Sequence, residues 1–259
     1  MKRRILTNAL WGMLLLGMLA ACSGVDSQIK EIQDRGVLRV GVKVDVPRFG
    51  YMDPATGEIE GMEVDLARAI AKDILDDEDA VRLINITPQT RNAMLDNGEI
   101  DLVIATFTIT EERKLSFNFS RPYYIDEIGW LVCADSGVEH PVDMDGKRAG
   151  VMRGSTAATA LAEELAGMGI SVAIQEYTNY PEIKAALVAG NVEAFVTDKS
   201  ILSGYKDDRC VLLGEGFNPQ DYGIASKLEK DKLAARVDAL LEAMEKDGRL
   251  ADIYEMWGL

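Results

Sequence analysis

Apolar and polar positions along the chain form blocks that predict strands followed by helices. Residues 38–42 are a short apolar run that predicts a buried strand, and a loop rich in proline and glycine follows it. Beyond Gly57, apolar residues recur at intervals of three and four, which is the period of an amphipathic helix. The apolar positions of this helix are Met62, Leu66, Ala69, Ile70 and Ile74. A strand followed by a helix, repeated along a chain, is typical of the α/β class.

A second block pattern occurs twice, at residues 93–104 and 185–196. Each copy reads as the end of a helix, a glycine turn and a buried strand. The two copies predict two lobes of similar build, although this unit also recurs by chance in α/β proteins. They place Thr106 and Asp198 at equivalent positions just beyond a strand, which is the edge where ligands bind in open α/β sheets.

Two further apolar segments, residues 128–133 and 222–225, predict strands that cross between the lobes. With these crossings the first lobe is discontinuous and consists of residues 29–132 and 217–259. The second lobe then consists of residues 133–216.

The beginning of the chain has the composition of an export signal. Residues 1–21 combine basic residues, an apolar run and small residues before Cys22, and we expect them to be a secretory signal peptide. The apolar run is too short for a stable membrane-spanning helix. The residues before Cys22 resemble the bacterial lipoprotein processing box, so we expect a lipidated Cys22, a tether over residues 22–28 and a location in the cell envelope. The alternative is an ordinary cleavage site with an incidental cysteine.

The charge of the chain narrows the choice of partners. With 28 basic and 43 acidic residues the net charge is −15, which argues against nucleic acid as a partner. Buried basic residues are informative in such a chain, because an acidic ligand needs a local field opposed to that of the whole protein. The cysteines other than Cys22 are Cys133 and Cys210, and the sequence leaves open whether they pair. No metal-site spacing is present, and we expect neither a metal nor a cofactor.

Five stretches carry family motifs: GVKVDVP at residues 41–47, GMEVDLA at 61–67, TITEER at 108–113, FSRPYY at 119–124 and GST at 154–156. Together and in this order they resemble family 3 extracellular solute-binding proteins of polar amino acid ABC transporters. The resemblance covers essentially the whole mature chain. It implies a type II periplasmic-binding-protein-like fold, with two open α/β sheets joined by a two-strand hinge. It also implies a monomer that closes around an amino acid and delivers it to a membrane permease.

Four shorter stretches resemble the aspartate/glutamate-binding branch: GVK at residues 41–43, TR at 90–91, ATFT at 105–108 and TDKS at 197–200. The branch implies L-aspartate or L-glutamate as the ligand. Glutamine, or a broader set of polar amino acids, is the alternative.

An α-amino acid needs a fork of donors for its carboxylate and an acid for its ammonium group. Arg113 resembles the family arginine that pairs with the α-carboxylate, helped by Thr108 and a backbone group near Thr106. Asp198, in the other lobe, resembles the acid that takes the ammonium group. Because the two come from opposite lobes, the ligand would stabilise the closed state.

The side chain of the ligand would be recognised by Lys43 and Arg91, which together suit a second carboxylate. Each of these two residues also fits a solvated surface position. Thr156 follows a glycine turn at a helix start, where hydroxyl and backbone donors suit a carboxylate. The secondary candidates are Phe49 and Tyr51 near the cleft mouth, Arg153 and Ser155 beside the glycine turn, and Tyr177.

Two other classes of function are alternatives for such a chain. This fold also hosts dehydratases and lyases, but the sequence shows neither a nucleophile with its base nor paired carboxylates at a catalytic spacing, so we expect no enzyme. A ligand-sensing surface lipoprotein would use the same cleft, and the sequence does not separate it from a transport protein.

Overall fold

A computed structural model describes residues 27–259, so the predicted signal peptide and Cys22 lie outside the described residues. The described chain is a mixture of α-helices and β-strands. The helices are α1 (Ser27–Arg35), α2 (Met62–Leu75), α3 (Arg91–Asp96), α4 (Glu111–Lys114), α5 (Ala157–Met168), α6 (Tyr180–Val188), α7 (Lys199–Tyr205), α8 (Asp231–Asp247) and α9 (Arg249–Trp257), with a 3-10 helix at Pro141–Met144. No helix of this part of the chain is both long and apolar enough to cross a membrane.

The first sheet has five strands in the order β5-β1-β6-β14-β7. Strands β5, β1 and β6 are parallel, and β14 is antiparallel to β6 and β7. The strands are β1 (Leu38–Val42), β5 (Val81–Asn85), β6 (Leu102–Ile104), β7 (Phe117–Phe119) and β14 (Ala225–Lys227). A small antiparallel sheet precedes α2 and contains β2 (Asp45–Val46), β3 (Gly50–Met52) and β4 (Ile59–Glu60).

The second sheet has six strands, in the order β10-β9-β11-β8-β12 with β13 also paired to β8. Strands β10, β9 and β11 are parallel, and β8 is antiparallel to its three partners. The strands are β8 (Tyr124–Cys133), β9 (Arg148–Met152), β10 (Ala173–Tyr177), β11 (Ala194–Asp198), β12 (Cys210–Leu212) and β13 (Phe217–Tyr222). Two sheets of this kind confirm the predicted two-lobed α/β architecture.

The chain passes between the sheets twice, after β7 and after β13, and the two passages contact each other. Ser120 N donates to Ile224 O at 2.9 Å, and Tyr123 N donates to Tyr222 O at 2.9 Å. They form a two-strand connection. The predicted first lobe includes residues 124–132 and 217–222, but both segments lie in strands that pair within the second sheet.

The two copies of the repeated pattern adopt the same local structure. The first copy is the end of α3, Gly98 and β6, and the second is the end of α6, Gly190 and β11. Gly98 has φ 70° and Gly190 has φ 71°, the left-handed conformation that glycine adopts at helix ends. Because β6 and β11 are parallel strands of their sheets, the residues that follow them lie at the carboxyl edges, and these edges face each other.

Apolar side chains cover both faces of each sheet. Helices α2, α8 and α9 pack on one face of the first sheet, and a smaller cluster that includes Leu95, Phe107 and Phe117 covers the other. In the second sheet, Leu161 of α5 lies in the cluster on one face and Ile183 of α6 lies in the cluster on the other. The apolar clusters on both faces therefore fix the position of the carboxyl edge of each sheet.

A close backbone approach determines where α2 begins. Gly61 has φ 134°, and a Cβ atom placed there would lie 2.0 Å from the carbonyl oxygen of Phe49. Carbonyl groups of the same loop accept hydrogen bonds from the first amides of the helix. Met62 N donates to Arg48 O at 2.8 Å, and Glu63 N donates to Phe49 O at 3.0 Å. Only glycine fits this position, and it places Glu63 in the first turn of α2.

We expect Gly61→Ala to lower the free energy of unfolding by about 3 kcal/mol or more, since the Cβ clash and the positive φ both oppose the native backbone. The matched control is Gly167→Ala on the exposed side of α5, where a Cβ meets no atom within 4 Å. That change should raise the free energy of unfolding by roughly 0.5–1 kcal/mol. Urea denaturation measures both, and equal effects would contradict the close approach at Gly61.

Candidate functional site

A small cavity lies between the carboxyl edges of the two sheets. The seven primary candidates of the sequence analysis all line it: Lys43, Arg91, Thr106, Thr108, Arg113, Thr156 and Asp198. Each lies near the end of a strand or in the first turn of a helix at one of these edges. Four lining residues were not named from the sequence: Pro88, Ala105, Tyr180 and Thr197.

Two guanidinium groups of the cavity lie against one aromatic ring. The guanidinium carbon of Arg91 is 3.7 Å from the centre of the Phe107 ring, and that of Arg113 is 4.6 Å from it. Burial, with repulsion from Arg113 adding to it, lowers the pKa of Arg91 to about 9. Burial also lowers the pKa of Arg113 to about 10. Both side chains are still cations at neutral pH, and the π face of Phe107 attracts them.

The hydrogen bonds of these arginines leave donor capacity in the cavity. Thr110 caps the start of α4, and its Oγ1 accepts from the backbone N–H of Arg113 at 3.1 Å. The Nη1 of Arg113 donates to the carbonyl oxygen of Thr108 at 2.7 Å. Arg91 is 6% exposed, and its buried Nε has no hydrogen-bond partner within residues 27–259. A buried donor without a partner costs free energy, which an acceptor from a ligand would recover.

Lys43 differs from the arginines because a carboxylate lies beside it. Its Nζ is 2.9 Å from Asp45 Oδ1 and 5.2 Å from the centre of the Tyr180 ring. The contact with Asp45 is an ion pair rather than a directional hydrogen bond, since Asp45 Oδ1 has no hydrogen-bond partner of good geometry in the described chain. The other oxygen of Asp45 accepts from Tyr180 N at 3.3 Å. The positive charge of Lys43 is therefore largely balanced by the protein itself.

Asp198 is the acid of the cavity wall. It ends β11, is 6% exposed, and accepts a hydrogen bond from the hydroxyl group of Tyr222. Burial raises the pKa of its carboxyl group to about 7, repulsion from Asp126 adds to the rise, and the Tyr222 hydrogen bond and Arg113 oppose it. A cation placed beside Asp198 would favour the charged form.

A second buried acid, Glu63, supports the site from behind and was not recognised from the sequence as a functional residue. Its Oε1 accepts from the backbone N–H of Thr106 at 2.5 Å and from the hydroxyl of Tyr123 at 2.5 Å. Thr106 has φ 45°, which is uncommon outside glycine. Burial raises the pKa of Glu63 to about 7. The N–H of Thr106 is therefore held by the protein.

The hydroxyl groups of Thr108 and Thr156 meet at a glutamine in β13. Each donates to Gln220 Oε1 at 2.7 Å, and Gln220 has no exposed surface. The amide nitrogen of Gln220 donates to the carbonyl and side-chain oxygens of Asn218 at 2.8 Å and 2.7 Å. Gln220 thus links a threonine beside the first sheet to a threonine beside the second. No motif in the sequence pointed to it.

The secondary candidates divide between the cavity and other places. Ser155 lines the cavity. Phe49 does not line it, because its ring is fully buried in the core of the molecule. Arg153 points to the surface, where it pairs with a glutamate at 3.3 Å. Tyr51 and Tyr177 are also not among the lining residues.

The wall as a whole carries three cations, one carboxylate and several hydroxyl groups. No group of three or more His, Cys, Asp or Glu side chains in residues 27–259 is arranged to hold a metal ion. Such a set of groups is suited to holding a small polar molecule that has both carboxylate and ammonium groups.

Comparisons with known proteins agree with this geometry. The model of the bacterial extracellular solute-binding proteins, family 3, matches residues 38–259. The ABC transporter glutamine-binding protein GlnH of Bacillus subtilis (strain 168) is 35% identical, over 98% of this chain and 97% of the relative. Glutamate-binding protein GluB of Corynebacterium glutamicum (strain ATCC 13032) is 33% identical, over 89% of this chain and 82% of the relative.

Among solved structures, this chain is similar to the ancestral amino acid-binding protein AncCDT-1, described as a precursor of cyclohexadienyl dehydratase. The two share 30% identity with a TM-score of 0.80, over 89% of this chain and 98% of the other. The family match covers nearly all of the described residues, and the architecture is that of amino acid-binding proteins. The chain belongs to the bacterial extracellular solute-binding proteins of family 3.

Proposed function

We propose that this chain is the substrate-binding component of an amino acid ABC importer and that it captures an acidic amino acid, glutamate or aspartate. The lobes close around the ligand, and the closed protein delivers it to the membrane permease. The relatives named above are amino acid-binding proteins, one of them of an ABC transporter, which supports the general function. The preference for an acid rests on the charges of the cavity.

The observation that carries the preference is an excess of buried positive charge. Lys43, Arg91 and Arg113 face a single carboxylate in the wall, that of Asp198. Asp45 balances Lys43, so one positive charge is left over. Glutamate and aspartate each have a net charge of −1, which compensates this excess. A neutral amino acid would leave a buried guanidinium uncompensated, at a cost of several kcal/mol as an order of magnitude.

The placement of the groups assigns a role to each. Arg113 would pair with the α-carboxylate, since Thr108 O already orients its guanidinium. Asp198 would take the ammonium group, which lowers the cost of its ionisation. Arg91 would pair with the side-chain carboxylate, with Lys43 as a second donor. These groups come from both sheets, so only the closed arrangement makes all the contacts at once.

Glutamine is the second candidate, and a specific observation favours it. Lys43 and Asp45 lie 2.9 Å apart and offer a donor and an acceptor together. A side-chain amide needs that combination, because it has one carbonyl oxygen and one NH₂ group. The glutamine-binding relative GlnH is also similar over almost the whole chain. Titration of the ligand-free protein with glutamate, aspartate and glutamine decides between the candidates, and tighter binding of glutamine would refute the acidic preference.

We expect Arg113→Ala to weaken binding of every amino acid ligand strongly. Loss of the α-carboxylate partner should cost roughly 2–5 kcal/mol, which is about a 30-fold to several-thousand-fold rise in Kd. The matched control is Arg82→Ala, an exposed arginine on the edge strand β5, which should leave Kd unchanged. Isothermal titration calorimetry with glutamate and glutamine measures both variants. Normal binding by Arg113→Ala would place the α-carboxylate elsewhere.

Arg91→Gln should act on the side chain of the ligand alone. The variant keeps most of the volume over the Phe107 ring and removes the charge, so the Kd for glutamate should rise by roughly 10- to 100-fold. The Kd for glutamine should change by less than about threefold, because a neutral amide gains little from a cation. Arg82→Gln is the control for the substitution itself. An equal loss for both ligands would show that Arg91 does not read the side-chain charge.

The raised pKa of Asp198 predicts a pH dependence of binding. Only the carboxylate form pairs with an ammonium group, so the affinity should rise with pH up to about 7, the pKa of Asp198, and then level off. Below that pH the affinity should fall by up to about tenfold per pH unit.

Calorimetry from pH 5 to pH 8 measures this pH dependence, and binding near pH 6 should release a proton. Asp198→Asn should bind weakly and with little pH dependence. Glu63 also has a pKa of about 7, so Glu63→Gln serves as the control and should retain the slope. If the pH dependence persists in Asp198→Asn but disappears in Glu63→Gln, its source is Glu63 and the assignment to Asp198 is wrong.

A further inference from the structure

Two cysteines lie opposite each other in the second sheet, far along the chain from one another. Cys133 ends β8 and Cys210 begins β12, and they are direct cross-strand partners in this antiparallel pair. Cys210 is 2% exposed, and Cys133 is partly exposed. Both are present as free thiols.

The hydrogen bonds around this pair identify its type. Ala134 N donates to Arg209 O at 2.8 Å, and Leu213 N donates to Trp130 O at 2.9 Å. In an antiparallel ladder, hydrogen-bonded and non-hydrogen-bonded pairs alternate, so Cys133 and Cys210 occupy a non-hydrogen-bonded position.

The backbone groups of the two cysteines agree with this assignment, because each bonds to its own neighbourhood instead of to the partner strand. Cys210 N donates to Asp207 O at 3.1 Å, and Cys133 O accepts from Ser136 N at 3.0 Å.

Non-hydrogen-bonded pairs bring side chains closest together. Their Cα atoms are typically about 4.5 Å apart, which lies within the range of about 4.4–6.8 Å that disulfides span. Proximity of the thiols also shows in their electrostatics, since burial raises the pKa of Cys133 and the neighbouring Cys210 adds to the rise. A pair of this type is therefore spaced for a disulfide.

We propose that Cys133 and Cys210 are an oxidation site of this protein and form a cross-strand disulfide that joins β8 to β12 in the second lobe. Proteins of this family are extracellular, where disulfides persist. The crosslink would fasten β12, which has β8 as its strand partner, to the strand that also pairs with β11 and β13.

The reaction is thiol–disulfide exchange, and it needs an external disulfide as the oxidant, either a protein disulfide oxidase or glutathione disulfide. Cys133 is the more accessible thiol, so its thiolate attacks one sulfur of the oxidant and releases the first thiol. Cys210 then loses its proton, attacks the Cys133 sulfur and releases the second thiol. Two S–H bonds in the chain become one S–S bond, and the S–S bond of the oxidant becomes two S–H bonds.

A lysine is placed to assist the second step. Lys184 Nζ donates to Cys210 Sγ at 2.9 Å and is 3.1 Å from Asp207 Oδ1. Negative charge that develops on the Cys210 sulfur as its proton leaves faces this ammonium group. Lys184→Met should therefore slow formation of the disulfide without preventing it.

The test compares oxidised and reduced forms of the same wild-type protein, which avoids variants that fail to fold. The reduced chain is incubated with glutathione disulfide, and intact mass is measured with and without alkylation in denaturant. We expect Cys133 and Cys210 together to lose the mass of two hydrogen atoms, neither of them to be alkylated, and one linked peptide to contain both. Reduction should then lower Tm by roughly 5–10 °C, because the link closes a long loop in the unfolded chain.

Other outcomes overturn the proposal. Alkylation of both Cys133 and Cys210 after oxidation, or stable glutathione adducts on these two residues, would show that their sulfur atoms do not join. Cys133→Ser and Cys210→Ser are the control variants, and each should take up glutathione or stay free without losing the mass of two hydrogens. Binding of amino acids should be the same in the oxidised and reduced forms, so the result is independent of the proposed ligand.

Discussion

Burial of two like charges on one aromatic ring is the constraint on which the site depends. Arg91 and Arg113 both lie against Phe107, in a chain with a net charge of −15. The ring face attracts both cations but cannot neutralise them. Burial lowers the pKa of each, because removal from water disfavours the charged form. A carboxylate placed beside these two arginines would offset this cost.

The passages between the lobes connect this constraint to the rest of the fold. Tyr123 of the first passage donates to Glu63, which holds the backbone of Thr106. Tyr222, at the start of the second passage, donates to Asp198 in the other lobe. The hinge therefore touches an acid from each side of the cleft. A ligand ammonium group that charges Asp198 also strengthens the hydrogen bond from Tyr222, since bonds to a charged acceptor are stronger.

Strand and helix patterns pointed to Thr106, Arg91 and Asp198, and the resemblance to the family pointed to the other primary candidates, all of which line the cavity. Residues that follow parallel strands meet at one edge of a sheet, so Thr106 and Asp198 lie at the cleft wherever the rest of the chain goes. The same reasoning placed Arg91 at the start of α3. The order of the family motifs indicated the two-lobed architecture, and the spacing of apolar residues indicated helix α2.

Contacts between residues distant in sequence could not be read in this way. The strand at residues 124–133 was assigned partly to the first lobe because its apolar pattern does not show which sheet it joins, and pairing with β11, β12 and β13 decides that. Phe49 was expected near the cleft mouth, yet an aromatic ring in a loop fills the core equally well. Gln220 needed the three-dimensional structure, because its partners lie 112 and 64 residues away.

Gln220 also limits what the two threonines can contribute. A hydroxyl group has one proton, and Thr108 and Thr156 both give theirs to the amide oxygen of Gln220. If a ligand carboxylate accepts a hydrogen bond from either hydroxyl group, that group's bond to Gln220 is lost. The number of hydrogen bonds is then unchanged, so the net gain in affinity is small. The exchange would still discriminate between ligands, because a ligand without a carboxylate at that point cannot replace the hydrogen bond to Gln220. Under the proposed function, the threonines would therefore contribute to the choice of ligand together with Arg91, and Arg113 would contribute most to the affinity.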